Sequence, residues 1–169
     1  MNIDIGDNVL SRPTKIEYYL NLAREASSRS PCTRRKFGAI IVKDDVLIST
    51  GYNGSARGTY NCGIDISCLK DHVGEGHYIS YDSCPAIHAE QNAVLQADPR
   101  YRQGGTMYLA SSTTKDGDRP CHLCRRYIIQ ANLKDIYYID KNGIITHEDI
   151  SNWIKMENEW MESIRDGKT

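Results

Sequence analysis

The sequence predicts an α/β protein in which a β-sheet lies between layers of helices, an α/β/α sandwich, on three observations. Segments of helical period alternate with short β-rich runs in the order helix, hairpin, helix, strand, helix, strand. Two of the β-rich runs are joined only by Lys43, Asp44 and Asp45, a connection short enough to force a hairpin. Each later strand follows a helix, the arrangement that returns a chain to the same sheet. At 169 residues the chain suits one domain with one core and is short for two, so residues 1–169 are read as a single domain.

The elements follow in order. Residues 14–28 open on the capping hydroxyl of Thr14 and space Ile16, Tyr19, Leu20, Ala23 and Ala26 along one face, the pattern of an amphipathic helix. Residues 37–42 and 46–50 are the two hairpin strands. After His88, Ala89, Ala93 and Ala97 recur at intervals of four among good helix formers, which predicts a second helix. Residues 106–110 and 135–139 are strands. Between them Pro120 suits the first turn of a helix, where its missing N–H costs nothing, and Ile128, Ile129, Ala131 and Leu133 carry that helix inward. In residues 148–164, Ile150, Trp153, Ile154, Trp160, Met161 and Ile164 fall at helical intervals. That face is expected to be buried, either on its own sheet or in a subunit interface.

Residues 51–86 lack clear periodicity and exceed the usual length of a structureless connection, so they call for a staple. Cys62, Cys68 and Cys84 lie within them and Cys32 precedes the first strand. Four thiolates suffice for a structural zinc, with His72 or His77 as substitutes; the alternative is that several are ordinary buried thiols.

Two clusters carry the chemistry. His88-Ala89-Glu90 sets a metal ligand beside a carboxylate, and Pro120-Cys121-His122-Leu123-Cys124 supplies two thiols one helical turn apart. His88, Cys121 and Cys124 as zinc ligands leave the fourth tetrahedral position to water, whose pKa the metal lowers to about 7, with Glu90 beside it as proton carrier. Both helices begin at the ligands, so their dipoles help to keep the thiols deprotonated. A closed structural site or a redox pair would account for the cysteines alone, but neither explains the carboxylate two residues from His88.

Composition narrows the partners. Twenty-one basic and twenty-two acidic residues give a net charge of −1, so no global field exists for gripping a nucleic-acid backbone. The local run Arg34, Arg35, Lys36 suits a phosphate on a small molecule, or is simply solvated. No apolar run approaches the roughly 20 residues of a membrane span, and residues 1–12 lack a secretory pattern. A cytoplasmic protein is expected, in which six cysteines serve metal binding more readily than disulfides.

The residues resemble the deoxycytidylate (dCMP) deaminases of the cytidine deaminase superfamily. The resemblance runs from about Lys15 to Ile139 and rests on four motifs: Cys32-Thr33-Arg34 leading into Phe37-Gly38-Ala39; Thr50-Gly51-Tyr52-Asn53-Gly54-Ser55; Ile87-His88-Ala89-Glu90-Gln91-Asn92-Ala93; and residues 120–129. Gly-Tyr-Asn-Gly discriminates most, since tRNA adenosine deaminases and riboflavin-pathway deaminases share the zinc residues but generally lack it.

What the resemblance implies is a cytidine-deaminase-like three-layer α/β/α fold with a mixed sheet of about five strands. It implies hydrolysis of dCMP to dUMP and ammonia, in which water activated by the metal attacks C4 while Glu90 passes a proton to N3 and then to the departing amino group. It also implies a homohexamer activated by dCTP with Mg²⁺ and inhibited by dTTP, the regulatory nucleotide being held by Gly51, Tyr52, Asn53 and Gly54. A second zinc would use Cys32 and Cys62. Position and chemistry put Arg34 on the substrate phosphate, Ser112 near the base, and Tyr138 near the sugar or phosphate.

Two departures stand out. Residues 111–119 intervene where relatives pass almost directly from strand to Pro-Cys-x-x-Cys, giving a mobile lid or an extra subunit contact that bears on which nucleotide is accepted. Pro99 turns Asp98 away from helical geometry where relatives more often continue the helix. The competing functions are deamination of another cytosine or adenine nucleotide or of a base in RNA, and a non-catalytic zinc or nucleotide-binding module using the Trp153 and Trp160 face.

Overall fold

The computed structural model describes residues 12–71, 84–112 and 117–167. Helix α1 (Lys15–Ser27) starts at a capping box: Thr14 Oγ1 accepts the Glu17 N–H at 3.2 Å, and the Glu17 carboxylate accepts the Thr14 N–H at 2.8 Å. Strands β1 (Phe37–Lys43) and β2 (Val46–Tyr52) form the expected hairpin. Its two loop residues, Asp44 and Asp45, have φ of 50° and 62°, the left-handed pair of a tight turn whose twist matches that of the strands. The Tyr19 hydroxyl of α1 donates to the Asp45 carbonyl at 3.2 Å and ties the turn down.

Short strands β3 (Gly54–Ser55) and β4 (Ala86–Ile87) pair with each other and close the long connection at its base. Helix α2 (Ala89–Gln96) follows, then the single turn α3 (Pro99–Arg102). Asp98 caps α3 in an extended conformation and Pro99 occupies its first turn, so the proline ends one helix and starts the next. Strand β5 (Thr106–Ser111) leads to helix α4 (His122–Gln130), strand β6 (Asp135–Ile139), strand β7 (Ile145–Asp149) and helix α5 (Ile150–Arg165). Helix α4 begins later than expected: Cys121 is its N-cap and Pro120 stands outside it.

The main sheet has the order β2-β1-β5-β6-β7, with β5 and β6 parallel and every other pair antiparallel. This is the mixed five-stranded sheet expected. Its fifth strand had no signature among the residues, because β7 is an edge strand with no buried residue. It folds back on β6 through the Asp140 side chain, which accepts the N–H groups of Asn142 and Ile144 at 2.8 and 2.9 Å.

Strand alternation builds two cores. Ala39, Ile41, Met107, Leu109, Ile136 and Tyr138 face one way and pack under α2, α4 and α5; Ile40, Val42, Tyr108, Ala110 and Ile139 face the other way and pack under α1. The helices approach the sheet closely where the strands carry glycine. A Cβ on Gly38 would lie 1.9 Å from the Ala23 carbonyl oxygen of α1, and one on Gly51 would lie 2.3 Å from the Ala93 nitrogen of α2.

The C-terminal helix departs from expectation. Ile150 and Trp153 are each 2% exposed, but Trp160 is 50% and Met161 52% exposed, with Ile154 and Ile164 nearly as open. The apolar face is therefore covered only over its first turns, because α5 continues past its supports. No helix among the described residues is long and apolar enough to cross a membrane.

Candidate active site

Two helix N-termini meet on one side of the sheet. His88 is the extended N-cap of α2 and donates its backbone N–H to Gln91 Oε1 at 3.0 Å, while Glu90 lies in the first turn, 5% exposed. Cys121 caps α4, its Sγ accepting the Cys124 N–H at 3.5 Å, and Cys124 is fully buried in the first turn. His88 Nδ1 stands 3.6 Å from Cys121 Sγ and 3.3 Å from Cys124 Sγ, and the three donor atoms lie within 4.8 Å of one another. Tetrahedral zinc, with bonds of about 2.3 Å to sulfur and about 2.0 Å to nitrogen, requires S···N edges of about 3.6 Å. One imidazole and two thiols at this separation fit that ion.

The protonation states agree with a cation site. Hydrogen bonding from Cys124, aided by His88 and opposed by burial, holds the Cys121 thiol down to about 3. Cys124 is pushed far up, because its proton is shared with Cys121 and because it is buried. The Cys121 contact raises His88, against burial and the nearby positive charge of Lys70. Burial raises Glu90, so its carboxyl holds a proton more readily than an exposed one. Cys121 and Cys124 would both hold a divalent cation as thiolates, the shared thiol proton being given up.

His88, Glu90 and Cys121 line a cavity of about 510 Å³, within the range of about 300–1,000 Å³ typical of small-molecule sites. Arg34, Asn53 and Gly54 line it too. Asn53 is buried, and its side chain is engaged: Oδ1 accepts the Phe37 N–H at 2.8 Å and Nδ2 donates to the Arg35 carbonyl at 2.9 Å, pinning the start of β1. Gly51 is a packing contact with α2, and the Tyr52 carbonyl accepts from the Asn92 amide at 2.8 Å. Of the four residues expected to hold a regulatory nucleotide, Asn53 and Gly54 thus sit at the cavity of the metal cluster itself, while Gly51 and Tyr52 fasten α2 to β2.

The three expected substrate contacts divide. Arg34 reaches the cavity but pairs with Asp71 at 2.6 Å. Ser112 is exposed and absent from the lining; its N–H donates to the Lys36 carbonyl at 2.9 Å. Tyr138 is also away from the cavity. It shares the Ile136 face of β6, buried beneath the helices, and its hydroxyl donates to Glu148, so the period of the strand points it into the core rather than the site.

Cys32, Cys62, Cys68 and Cys84 all line the same cavity. Among the described residues, the one group of His, Cys, Asp or Glu compact enough to share a cation is nevertheless His88, Cys121 and Cys124. His72 and His77 lie outside the described residues.

Several residues at the site carried no signal in the sequence. Within the long loop, residues 113–116 lie outside the described residues, but its end is anchored. Asp118 is fully buried, accepts the Ser111 N–H at 3.0 Å and lies 3.6 Å from Arg35, whose guanidinium also donates to the Gly117 carbonyl at 2.9 Å. Burial raises the Asp118 carboxyl. Arg119, at the cavity wall, makes two bonds of 2.9 and 3.1 Å to Glu148, which also accepts from Tyr138 and Trp153. Lys70 lines the cavity from a single 3₁₀ turn, Leu69–Asp71. Lys70, Asp118 and Arg119 belong to no motif, and only the fold brings them to the site.

A layered α/β sheet that sets one histidine and two cysteines at the mouths of two helices, beside a buried glutamate, defines the class of zinc-dependent deaminases. The family model for the cytidine and deoxycytidylate deaminase zinc-binding region matches residues 13–140. The chain belongs to that family. It is 36% identical over 131 residues to the deoxycytidylate deaminase of Mycobacterium phage D29, covering 76% of this chain and 97% of that one. To the deoxycytidylate deaminase of Schizosaccharomyces pombe it is 32% identical over 136 residues, covering 80% of this chain but only 40% of the yeast protein. Among solved structures it is similar to the dCMP deaminase of cyanophage S-TIM5. The apo form superposes with a TM-score of 0.56 at 28% identity, covering 79% of this chain and 89% of that one. The complex with dCMP and dUMP gives 0.54 at 27%, covering 74% and 80%.

Proposed function

We propose that the protein hydrolyses dCMP to dUMP and ammonia. The observation that carries this reading is the convergence of His88, Cys121 and Cys124 on one point, with Glu90 buried beside them in a cavity of small-molecule size. The phage relatives named for dCMP support the choice of nucleotide.

His88, Cys121 and Cys124 would hold zinc, which when bound supplies the Lewis acidity that makes water nucleophilic at neutral pH. Glu90 does the proton work. Its buried carboxylate takes a proton from the attacking water, delivers it to N3 of the base, and later protonates the amino group that leaves as ammonia. Burial suits it to this exchange, because a carboxyl raised above its usual value takes up a proton more readily than an exposed one.

The same reading extends to control by dCTP with Mg²⁺ and by dTTP, to a homohexamer in the cytoplasm, and to one domain over residues 1–169. The regulatory part rests on the resemblance of Gly51-Tyr52-Asn53-Gly54 to the dCMP deaminase motif, and the exposed Trp160, Met161 and Ile164 support self-association. A second, structural zinc among Cys32, Cys62, Cys68 and Cys84 is supported by their shared cavity.

The test is a steady-state assay of the zinc-loaded chain with dCMP, following loss of cytosine absorbance and release of ammonia, with and without dCTP or dTTP. Stoichiometric formation of dUMP is expected. Zinc at one or more equivalents per chain without turnover of dCMP under any of these conditions overturns the reading.

A further inference from the structure

We infer that Lys70 recognises the 5′-phosphate of the substrate and thereby sets the preference for a nucleotide over a nucleoside. The inference rests on the proposed action on dCMP and assigns the part of that site which the metal cluster leaves open.

Among the described residues, four cations line the cavity: Arg34, Arg35, Lys70 and Arg119. Three are already committed. Arg34 pairs with Asp71 at 2.6 Å, and Arg119 is held by both oxygens of Glu148. Arg35 bonds the Gly117 carbonyl, lies 3.6 Å from Asp118 and stacks over the Phe37 ring at 4.5 Å. Lys70 has no hydrogen-bond or ion-pair partner among the described residues, and of the four described cations its ammonium is the one left to meet an anion.

The neighbouring residue strengthens the argument. Asp71 adjoins Lys70 in the same 3₁₀ turn and would repel a phosphate, but Arg34 neutralises it. Arg34, the residue expected to bind the phosphate, therefore acts one step away: it masks the carboxylate and leaves Lys70 to face the anion. An ammonium on a flexible stem meets a phosphate dianion as a point charge, without the fixed fork that commits an arginine to one geometry. Among the described residues Glu90 is the one acidic residue in the lining, and it is buried beside the metal cluster, where the base must sit. The cavity thus combines a buried carboxylate beside the metal cluster, for the base, with an ammonium near enough to His88 to act on its charge, for the phosphate.

The experiment compares dCMP with deoxycytidine on the full zinc-loaded chain. Lys70→Met is expected to raise KM for dCMP by about 10- to 100-fold, the value of one charge-assisted hydrogen bond, with kcat for dCMP changed less than about threefold. The ratio of kcat/KM for dCMP over deoxycytidine falls correspondingly, and Lys70→Arg restores most of it. If Lys70→Met keeps that ratio within about twofold of the parent, or if Lys70→Arg loses as much as Lys70→Met, the assignment is overturned. A parent protein that deaminates deoxycytidine and not dCMP would instead overturn the proposed substrate, which keeps the two failures distinct.

Discussion

Glu90 and Glu148 are both carboxylates withdrawn from water, and their surroundings give them opposite tasks. Burial raises Glu90 and leaves it as a proton carrier. Replacing it by Gln keeps the shape but removes the exchangeable proton, so turnover is expected to fall by about 10²- to 10⁴-fold with zinc content unchanged by metal analysis. Glu148 is also pushed up by burial, but hydrogen bonds from Arg119, Tyr138 and Trp153 outweigh this and leave it net lowered. A lowered carboxyl contributes stability that is fully present above its ordinary value of 4.5 and is lost as pH falls through the folded value. The melting temperature is therefore expected to drop as pH is taken below about 4.5, and Glu148→Gln should show a shallower dependence over the same range. Equal slopes in the two proteins would show that the network contributes nothing through ionisation.

At the level of elements, two glycines and two tryptophans decide how the helices seat. Gly51→Ala places a methyl 2.3 Å from the Ala93 nitrogen and 2.4 Å from the Ala89 carbonyl oxygen, so α2 must move off the sheet. The expected cost is about 1–3 kcal/mol by urea denaturation. Because α2 carries His88 and Glu90, kcat should fall as well, since small displacements of catalytic groups are costly. On α5, Trp153 is buried against the core, and Trp153→Ala is expected to cost about 3–5 kcal/mol. Trp160 is half exposed, with the Arg126 guanidinium 5.4 Å from its ring, so Trp160→Ala should cost about 1 kcal/mol or less in the isolated chain. The seven-residue spacing of these tryptophans made them look equivalent in the sequence; the length of helix supported by the sheet separates them.

Across the whole molecule, the metal cluster joins α2 to α4 at a point where each contributes an N-terminus and a buried group. Zinc binds this folded arrangement and has little to hold in the unfolded chain, so chelation should lower stability. At a thousandfold excess of free zinc over its Kd the difference is about 4 kcal/mol, on the order of 10 °C in Tm for a chain of this size by calorimetry. The first helix, the hairpin, α2, β5, α4 and β6 were all legible in the sequence, because each is written in a local period. Strand β7 was not, since it is half-exposed and polar and exists through pairing with β6. Among site residues, Arg34 was placed at the cavity but not its engagement with Asp71. Tyr138 was misplaced, because whether a strand residue faces the site or the core depends on the helices that cover each face.

What the residues determined by themselves was the donor set and its local geometry. His-x-Glu at the start of one helix and Cys-x-x-Cys at the start of another bring their own side chains within a turn, whatever surrounds them. Only the tertiary structure decided that the two starts meet, that Gly51 and Asn53 are taken up in fastening α2 and β1, and that among the described residues Arg34, Arg35 and Arg119 at the cavity are paired while Lys70 is not. Those outcomes depend on contacts between residues far apart in the chain, and the charge or packing of a side chain is spent only by the neighbour that folding supplies.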